Sequence, residues 1–495
     1  MNARSLILVT VDCLRADHVG FLGCERPTTP FLDSLAAESF VFSNAIVGGA
    51  PTYYSFPTIL ASRYPLALGR DIVGLAPGEP TLASVLKAAG YRTACFSAAN
   101  PYLSRQFGYD QGFDGFHDFL DAENAASSEA ATPGDTFRSR VNRRLAALAK
   151  RAGPLGAAYD ELYFQYCQRI ASPKPQALDA LRRFPAADAV VSEACAWLAS
   201  NSGPPIFLWL HPMDPHAPYY PAEETADLLG RKKWNPFRVD YVNASWNRGD
   251  IGALRLQRYR EEIVELYDAG IRWVDTQVAR LRESLRQLGL WDDCTFALTA
   301  DHGEEFLDHG GRFHAPTQLT EELIRVPLLV RAPGIQGRIA NSTFSQLHLA
   351  PTLLESVGIV PPGDFQGQSY WRQLQRGEDW SAPAIVECVK GCTNPLRVAD
   401  RMGPRLLAVR DERFKLVVDC GSGSVRLFDL KLDPKEKNAV AEDAEWPVRK
   451  RFLELAHVHL RSSPQSRQSE RLQAVLAGLR QTLVGTSPRE AAHLG

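Results

Sequence analysis

The sequence predicts an α/β protein with a mostly parallel central sheet flanked by helices and a smaller C-terminal α+β unit. Three observations lead to this prediction. Short aliphatic and β-branched runs alternate with helical segments up to about residue 330, as in sheets whose strands are joined by helices. From about residue 385, short strand-like runs follow one another between glycine and charged turns. The length of 495 residues suits one large domain and one smaller one.

The elements up to residue 120 follow one another as strand and helix. Residues 6–11 form an apolar run that ends at Asp12, which predicts a buried strand with a polar residue at its carboxyl end. Gly90 is placed to end one helix before the next strand begins. The predicted strands are 6–11 and 91–97, and the predicted helices are 29–37, 52–61 and 81–89.

The alternation resumes beyond residue 180, and two polar insertions interrupt it at about 120–180 and 222–257. The first insertion carries a basic helical stretch from Arg138 to Arg151, which is either a solvated hairpin or a contact for an acidic substrate or partner. A long helix has apolar residues at helical spacing from Ile263 to Leu285. The other predicted elements are a helix at 186–199 and strands at 206–210, 294–299 and 326–330.

The C-terminal part predicts a separate, smaller unit. Strands at 406–409, 414–418 and 425–428 suit a small antiparallel sheet, which a helix at 446–459 closes. A polar linker at 462–469 leads to an amphipathic helix near 472–483, which packs on the body or on a second chain. We therefore predict a large catalytic α/β domain at 1–384, a small-sheet subdomain at 385–460, and a linker with a helix at 461–495.

Charge and hydropathy exclude several classes of protein. The 55 basic and 57 acidic residues give a formal net charge of −2, without the basic footprint that nucleic-acid binding needs. No run of about 18 apolar residues occurs, so no transmembrane helix is predicted, and the N-terminus lacks the features of a signal peptide. The nine cysteines include no CxxC pair, which favours reduced thiols in a cytoplasmic protein.

Polar side chains cluster where three predicted strands end, the edge at which ligands bind in open α/β sheets. A strand-end Asp also suits a helix cap, but two carboxylates with several imidazoles are typical ligands of a divalent cation. The clusters are Asp12, the pair Asp301 and His302, and the group His211, Asp214 and His216.

Five sequence blocks carry a family resemblance. They are LILVTVDCLRADHVGFLG, PTYYSFPTILASRYP, HPMDPHAPYYP, ADHGEEFLDHGGRFHAPTQLTEELIRVPLLVRAPG and LFDLKLDPKEKN. In this order they resemble the sulfatase branch of the alkaline phosphatase superfamily, from about Leu6 to Asn438, with the two insertions unmatched. The resemblance implies an alkaline-phosphatase-like fold, with a mostly parallel sheet flanked by helices and a smaller C-terminal α+β subdomain.

The resemblance implies one divalent metal ion at the carboxyl edge of the sheet. Asp12, Asp301 and His302 match its ligands, and the oxygen of Thr52 is expected within coordination reach. Many sulfatases carry a second Asp directly after the first, whereas this chain has Cys13. Because a neutral thiol is a poor ligand for calcium or magnesium, manganese or zinc is favoured and magnesium and calcium stay open.

The resemblance also locates the nucleophile. Counting back from the matching Arg63 puts it at Thr52, where the C/S-x-P-x-R signal for oxidation to formylglycine is absent. The sequence therefore resembles superfamily members with an unmodified Thr, whose alkoxide attacks phosphorus when a metal lowers the pKa of the hydroxyl. Ser55 is the alternative hydroxyl, and Thr52 also suits a helix cap.

Several further residues match positions that the family places around the anion. His216 would bind a non-bridging oxygen or protonate the leaving group, and His314 would hold the ester oxygen. His211 and Lys415 are predicted to bind substrate. The supporting positions are Arg15 and His18 beneath the site, Arg63 at the end of the nucleophile helix, and His309 in the loop after DHGE.

These residues suit three functions. The first is a metal-dependent hydrolase or transferase of phosphate or phosphonate esters, acting through a Thr52 covalent intermediate. The second is a sulfatase, because sulfate and phosphate are similar tetrahedral anions. The third is a catalytically degenerate anion-binding protein, which Cys13 and the absent oxidation signal favour. The expected partner is an anionic ester of a small molecule, glycan or lipid, and the sequence leaves the oligomeric state open.

Overall fold

The computed structural model describes residues 4–120, 154–171, 175–201, 203, 205–230, 233–441 and 444–462. The basic stretch at 138–151 and the predicted helix near 472–483 lie outside these residues. The strands are β1 (Leu6–Val11), β2 (Phe40–Ile46), β3 (Arg92–Ser97), β4 (Gly115–His117), β5 (Ile206–His211), β6 (Thr295–Ala300), β7 (Glu305–Phe306), β8 (Arg312–Phe313), β9 (Arg325–Arg331), β10 (Arg338–Ser345), β11 (Ala384–Val389), β12 (Arg405–Arg410), β13 (Phe414–Asp419) and β14 (Ser424–Asp429).

The helices of the described residues are interspersed among the strands along the chain. They are α1 (Pro30–Ala36), α2 (Thr52–Ala61), α3 (Leu82–Ala88), α4 (Pro154–Tyr166), α5 (Ala187–Ser200), α6 (Glu224–Leu228), α7 (Pro236–Trp246), α8 (Ala253–Gln287), α9 (Glu321–Ile324), α10 (Leu349–Ser356), α11 (Trp371–Arg376), α12 (Val398–Arg401) and α13 (Trp446–Ser462). None of the described helices is both long and apolar enough to cross a membrane.

The large sheet confirms the predicted fold class. Its eight strands have the order β10-β2-β9-β6-β1-β5-β3-β4 among the described residues. Strand β1 lies in the middle and pairs in parallel with β5 and β6, whereas β9 is antiparallel to β2 and β6. The central strands are buried along their whole length, which explains their continuous apolar sequences.

The register of the central strands brings the predicted site residues to one edge. Val11 at the end of β1 lies opposite Ala300 at the end of β6, and Val9 lies opposite Leu210 of β5. Because the three strands run in parallel, the residues that follow them meet at their shared carboxyl edge. Asp12, Asp301 and His211 are therefore neighbours although they are 90 to 289 positions apart in the chain.

Strands at the edges and helices in polar sequence were not predicted. The missed strands are β2, β4, β10 and β11 of the two larger sheets and the two-residue strands β7 and β8. Of these, β4, β10 and β11 lie at sheet edges, β10 with polar residues and no apolar run, whereas β2 lies inside the large sheet. The second polar insertion, at 222–257, contains α6, α7 and the start of α8. Helix α7 begins where the side chain of Asn235 accepts a hydrogen bond from Arg238 N, with Pro236 in the first turn, so capping defines it better than hydropathy.

Helix α8 is amphipathic and supports the site from one side. Its buried face includes Ile263, Leu266 and Val274, which belong to the main core. Tyr267 on the same face accepts a hydrogen bond from Arg15 N at 2.9 Å and donates one to Cys13 O at 2.7 Å. The helix therefore fixes the backbone that follows β1.

The C-terminal sheet is antiparallel, with the strand order β11-β12-β13-β14 in the described chain. Alternate residues face opposite ways: Leu406 and Ala408 join the main core, while Leu407 and Val409 pack with residues of α13. The sheet also contacts the loop before α2, because Glu387 N donates to Gly48 O at 3.0 Å. A Cβ on Gly49 would lie 2.6 Å from Glu387 O, so this loop packs directly on β11.

Candidate active site

Four of the predicted site residues form one buried group. Thr52 is the first residue of α2, and its Oγ1 donates a hydrogen bond to Asp301 Oδ2 at 2.8 Å. The same oxygen lies 3.1 Å from His302 Nε2, which is 3.9 Å from Asp12 Oδ1. Thr52 is 4% exposed and the other three are fully buried. The N-cap of α2 is Pro51, so the Thr52 hydroxyl points to Asp301 and does not cap its helix.

Backbone and side-chain partners orient these groups. Asp301 Oδ1 accepts from His302 N at 2.9 Å and from Cys13 N at 3.2 Å. His302 Nδ1 donates to Gly303 O at 2.8 Å, which leaves Nε2 facing Thr52. A Cβ on Gly303 would lie 1.8 Å from the backbone oxygen of Glu322, so only glycine fits this turn.

The charges of this group suit a bound cation. Burial and the nearby charge of Asp12 raise the pKa of Asp301 to about 7. Burial acts in the same direction on Asp12, but His216 and His211 outweigh it and hold the Asp12 pKa well below its usual range. Burial and the neighbouring His314 lower the pKa of His302 to about 4, so its imidazole is neutral, as a metal ligand must be. Asp12, Asp301, His302 and Thr52 therefore fit a divalent metal ion.

A second set of side chains adjoins the first. Cys13 Sγ lies 3.0 Å from Asp12 Oδ1 and 3.4 Å from His314 Nδ1. The His314 ring is 5.1 Å from that of His216 and 4.6 Å from that of His302, between centroids. The structure thus brings His216 and His314 together beside the Asp12–Asp301 group, as the sequence predicts.

A cavity of about 330 Å³ opens onto both sets. Its walls combine the polar groups of the site with aromatic and apolar side chains, and among the described residues no Lys or Arg lines it. The lining residues are Pro51, Thr52, Tyr53, Asn100, Pro101, Tyr102, Met213, His216, Phe313, His314, Ala315, Pro316 and Thr393.

The structure corrects the prediction that His211 binds substrate. His211 is fully buried behind Asp12 and does not line the cavity. Its Nδ1 donates to Thr10 O at 2.9 Å, and its Nε2 lies 3.3 Å from Asp12 Oδ2. Burial acts to lower its pKa, but the hydrogen bond and charge of Asp12 outweigh this and raise the pKa. His211 therefore positions Asp12 as a charged partner.

Lys415 is also corrected, since its ammonium is fully buried and all its donors are used. It donates to Leu319 O at 2.8 Å and pairs with Glu321 at 3.2 Å and Glu436 at 2.5 Å. An ammonium has three N–H donors, so none is left for a substrate. The sequence-based prediction rested on a Lys in the C-terminal block. The sequence could not show that Glu321 and Glu436, which lie elsewhere in the chain, pair with its ammonium.

The other predicted polar residues have structural partners. Ser55 Oγ donates to Thr52 O at 3.1 Å, which turns this alternative hydroxyl away from Asp301. The remaining pairs are Arg15 with Asp17 and Asp308, His18 with Asp268, Arg63 with Glu79, His309 with Glu322, and Asp214 with the backbone N of Ala187 at the start of α5.

Sequence reasoning missed two residues of the site. Asn100 Nδ2 donates to Asp12 Oδ2 at 2.9 Å, and its place just after β3 could have been found by the rule that used the ends of β1 and β6. Glu304 is fully buried, and its Oε2 lies 3.4 Å from His314 Nδ1. Its Oε1 has no hydrogen-bond partner among the described residues, which no sequence pattern reveals.

A family model described as Sulfatase matches residues 4–359 of this chain. The chain belongs to the sulfatase family. A second family model, described as N-sulphoglucosamine sulphohydrolase, C-terminal, matches residues 311–461 of this sulfatase-family chain. The first match covers the large sheet and the candidate site, and the second covers the small antiparallel sheet.

Known proteins resemble this sulfatase-family chain over nearly its full length. An arylsulfatase of Clostridium perfringens is 24% identical and covers 91% of this chain and 92% of its own length. The multifunctional alkaline phosphatase superfamily protein PehA of Trinickia caryophylli is 23% identical, with coverages of 94% and 99%. The solved structure of a phosphonate monoester hydrolase of Agrobacterium radiobacter has a TM-score of 0.61 at 21% identity, covering 93% and 96%, and shows the shared fold. The protein is thus a sulfatase-like ester hydrolase.

Proposed function

We propose that this protein is a metal-dependent hydrolase or transferase in which Thr52 attacks a phosphate or phosphonate ester and forms a covalent intermediate. The observation that carries the proposal is the Thr52 hydroxyl, 2.8 Å from Asp301 Oδ2 and facing the cavity. Thr52 stands at the N-terminus of the ten-residue helix α2, where the free N–H groups favour an anion. The chain has no Cys or Ser in a formylglycine signal at this position, so the hydroxyl itself is the nucleophile.

Each polar side chain of the site has its own role in the proposed reaction. The O–H of Thr52 is directed at the Asp301 carboxylate, which orients the lone pairs of Oγ1 toward the cavity. His216 and His314 stand on the cavity wall, where they donate to the oxygens of the ester or protonate the leaving group. A divalent metal held by Asp12, Asp301, His302 and Thr52 would supply charge neutralisation and a lower pKa for the Thr52 hydroxyl.

Oxygen and nitrogen donors make manganese or zinc the expected ion, although magnesium and calcium also accept the oxygen ligands. The four donors are two carboxylates, one imidazole and one hydroxyl. A neutral imidazole favours the transition metals over the harder ions.

The cavity favours an ester with a hydrophobic leaving group. Tyr53, Tyr102 and Phe313 line it together with Met213, and no Lys or Arg among the described residues adds positive charge. A singly charged ester therefore suits the site better than one with two negative charges, since the imidazoles and the metal are the sources of positive charge. Aryl esters are the natural probes of this proposal.

The proposal is tested with four aryl substrates that share one leaving group: a phosphate monoester, a phosphodiester, a phosphonate monoester and a sulfate. We expect the metal-loaded protein to hydrolyse at least one phosphorus ester, Thr52→Ser to retain measurable activity, and Thr52→Ala to lose up to about 10⁶-fold. Intact mass should show an unmodified Thr52, and acid quenching should trap an adduct on it. Near-normal turnover by Thr52→Ala overturns the covalent mechanism.

A sulfatase acting through the unmodified Thr52 is the second candidate. It is supported by the family model and by the arylsulfatase of Clostridium perfringens that resembles this chain. Preferential hydrolysis of the aryl sulfate in the same comparison selects this function. Turnover of none of the four esters by metal-loaded protein points instead to an anion-binding protein.

A further inference from the structure

We propose that Cys13, His216 and His314 form a second metal site, suited to zinc, beside the group of Asp12, Asp301, His302 and Thr52. The inference rests on the proposed function only in that the second ion would face the same ester. Ion binding itself is a property of the three side chains, and it is measured without any substrate.

The spacing of the three donors fits a tetrahedral ion. Their ligand atoms all lie within 4.8 Å of one another. Zinc bonds of about 2.3 Å to sulfur and about 2.0–2.1 Å to nitrogen, at a tetrahedral angle, separate these atoms by roughly 3.3–3.6 Å. Cys13 Sγ and His314 Nδ1 are already 3.4 Å apart, and a ring nitrogen of His216 lies within 4.8 Å of the ligand atoms of the other two residues.

The surroundings hold Cys13 and His216 ready to bind. Cys13 has a positive φ of 61°, and its backbone is fixed by Asp301 Oδ1 on its N–H and by Tyr267 on its carbonyl. His216 Nδ1 donates to Ala217 O at 2.5 Å, which leaves the lone pair of Nε2 for a metal. An outer hydrogen bond that fixes the tautomer is a regular feature of metal-binding histidines.

One oxygen of a buried carboxylate next to this set lacks a hydrogen-bond partner among the described residues. Glu304 is fully buried, its Oε1 has no hydrogen-bond partner among the described residues, and its Oε2 is 3.4 Å from His314 Nδ1. Burying such an oxygen without a partner is costly, so the arrangement calls for a cation on this side of Asp12. This observation is independent of the donor spacing and points to the same place.

The two donor sets differ in chemistry, which predicts different ions. Sulfur and imidazole ligands suit zinc, whereas the oxygen-rich group of Asp12, Asp301 and Thr52 also accepts manganese or magnesium. Zinc binding releases the proton of the Cys13 thiol to solvent, because the ligand is the thiolate. Three protein ligands leave a fourth position of the ion open toward the cavity that His216 and His314 line. With zinc bound, the ion takes over the contact with the ester oxygens that the two imidazoles make in its absence.

The test counts ions on the full-length chain after removal of its metals and titration with zinc. We expect two tightly bound equivalents per chain in the wild type, and one in Cys13→Ser and in His314→Ala. Cys24→Ser, at a partly exposed cysteine outside the site, is the matched control and should keep two. A wild type that saturates at one equivalent overturns the inference.

Cobalt gives a readout that needs no variant. The cobalt-loaded wild type should show a thiolate-to-cobalt charge-transfer band, which Cys13→Ser loses and Cys24→Ser keeps. Two bound ions without that band also overturn the inference. The two proposals fail separately: one ion with loss of turnover in Thr52→Ala rejects the second site alone, whereas two ions with normal turnover in Thr52→Ala reject the covalent mechanism alone.

Discussion

Asp12 and Asp301 dominate the site at the scale of single residues. Both are fully buried at adjoining strand ends, and the negative charge of one raises the pKa of the other. His211 and Asn100 hold Asp12, while Thr52 and two backbone N–H groups hold Asp301. Without a cation, the folded chain keeps two repelling carboxylates out of water, which opposes folding.

Replacing Asp301 with Asn should separate metal binding from stability. We expect Asp301→Asn to lose both metal content and activity, because a neutral amide is a weak ligand for a divalent ion. The metal-free variant should unfold at a higher temperature than the metal-free wild type, because one of the two buried charges is gone. Elemental analysis and thermal unfolding measure the two effects, with the exposed Asp364→Asn as control. Full metal occupancy in Asp301→Asn would refute the ligand assignment.

Removing either cavity histidine should impair catalysis and spare the fold. We expect His216→Ala and His314→Ala each to lower kcat/KM by about 10²–10⁴-fold, the range for one acid–base or electrostatic group. The melting temperature should change little, because both side chains lie in loops on the cavity wall. The exposed His117→Ala serves as control. If His216→Ala unfolds while its folded fraction stays fully active, the residue is structural.

At the scale of elements, burial decided what the sequence could predict. Strands β1, β5 and β6 are buried throughout and mostly apolar, and they were predicted within one residue at each end, and with them the edge that carries Asp12 and Asp301. Strand β10 mixes polar and apolar residues at the rim of the sheet, so its apolar pattern is weak. Glu304 was missed because its role depends on His314, which only the tertiary fold brings close, whereas the strand-end rule could have found Asn100 after β3.

Lys415 on β13 should prove structural. Its ammonium joins β13 to Glu321 of α9 and to Glu436, so Lys415→Met leaves the buried Glu436 without its ion pair and Glu321 with Arg410 alone. We expect a loss of about 3–5 kcal/mol in the free energy of unfolding. The KM of the folded variant should equal that of the wild type. Urea unfolding and steady-state kinetics check both, and a raised KM without loss of stability would restore the substrate-binding role.

At the scale of the whole molecule, Glu387 ties the small sheet to the rest of the chain. Its carboxylate pairs with Arg405 of β12 and His459 of α13, and its Oε1 accepts from Leu66 N at 3.1 Å. Burial acts to raise the pKa of Glu387, but Arg405 and His459 outweigh it and hold the pKa well below its ordinary value of 4.5. The ionised form is therefore the one that the folded state prefers.

The pH dependence of stability follows from that shift. Because the folded-state pKa is lowered, the contribution of Glu387 is fully present well above pH 4.5 and is lost as the pH falls below that value. We expect Glu387→Gln to lower the free energy of unfolding by about 3–5 kcal/mol at pH 7. The difference in this free energy between variant and wild type should shrink as the pH falls toward about 3.5. Urea unfolding at several pH values measures it. A difference that does not change with pH would contradict the assignment.

The nine cysteines are all free thiols in the structure, and six of them are buried. We propose that all nine thiols also stay free in the purified protein. A thiol reagent added to denatured, metal-free protein purified without reductant should titrate nine groups, because no pair is joined. Titration of seven or fewer would indicate a disulfide and reject this proposal.

The contact between Gly49 and β11 constrains how this enzyme can change during evolution. The loop that carries Thr52 into the site rests on the small sheet, without room for even one methyl group. A C-terminal region grafted from a relative would shift the start of α2 unless residues 48–54 came with it. We therefore expect the two regions to function only as a matched pair despite the more than 300 residues between them. New substrate preferences can arise most readily in the cavity loops, which leave this contact intact.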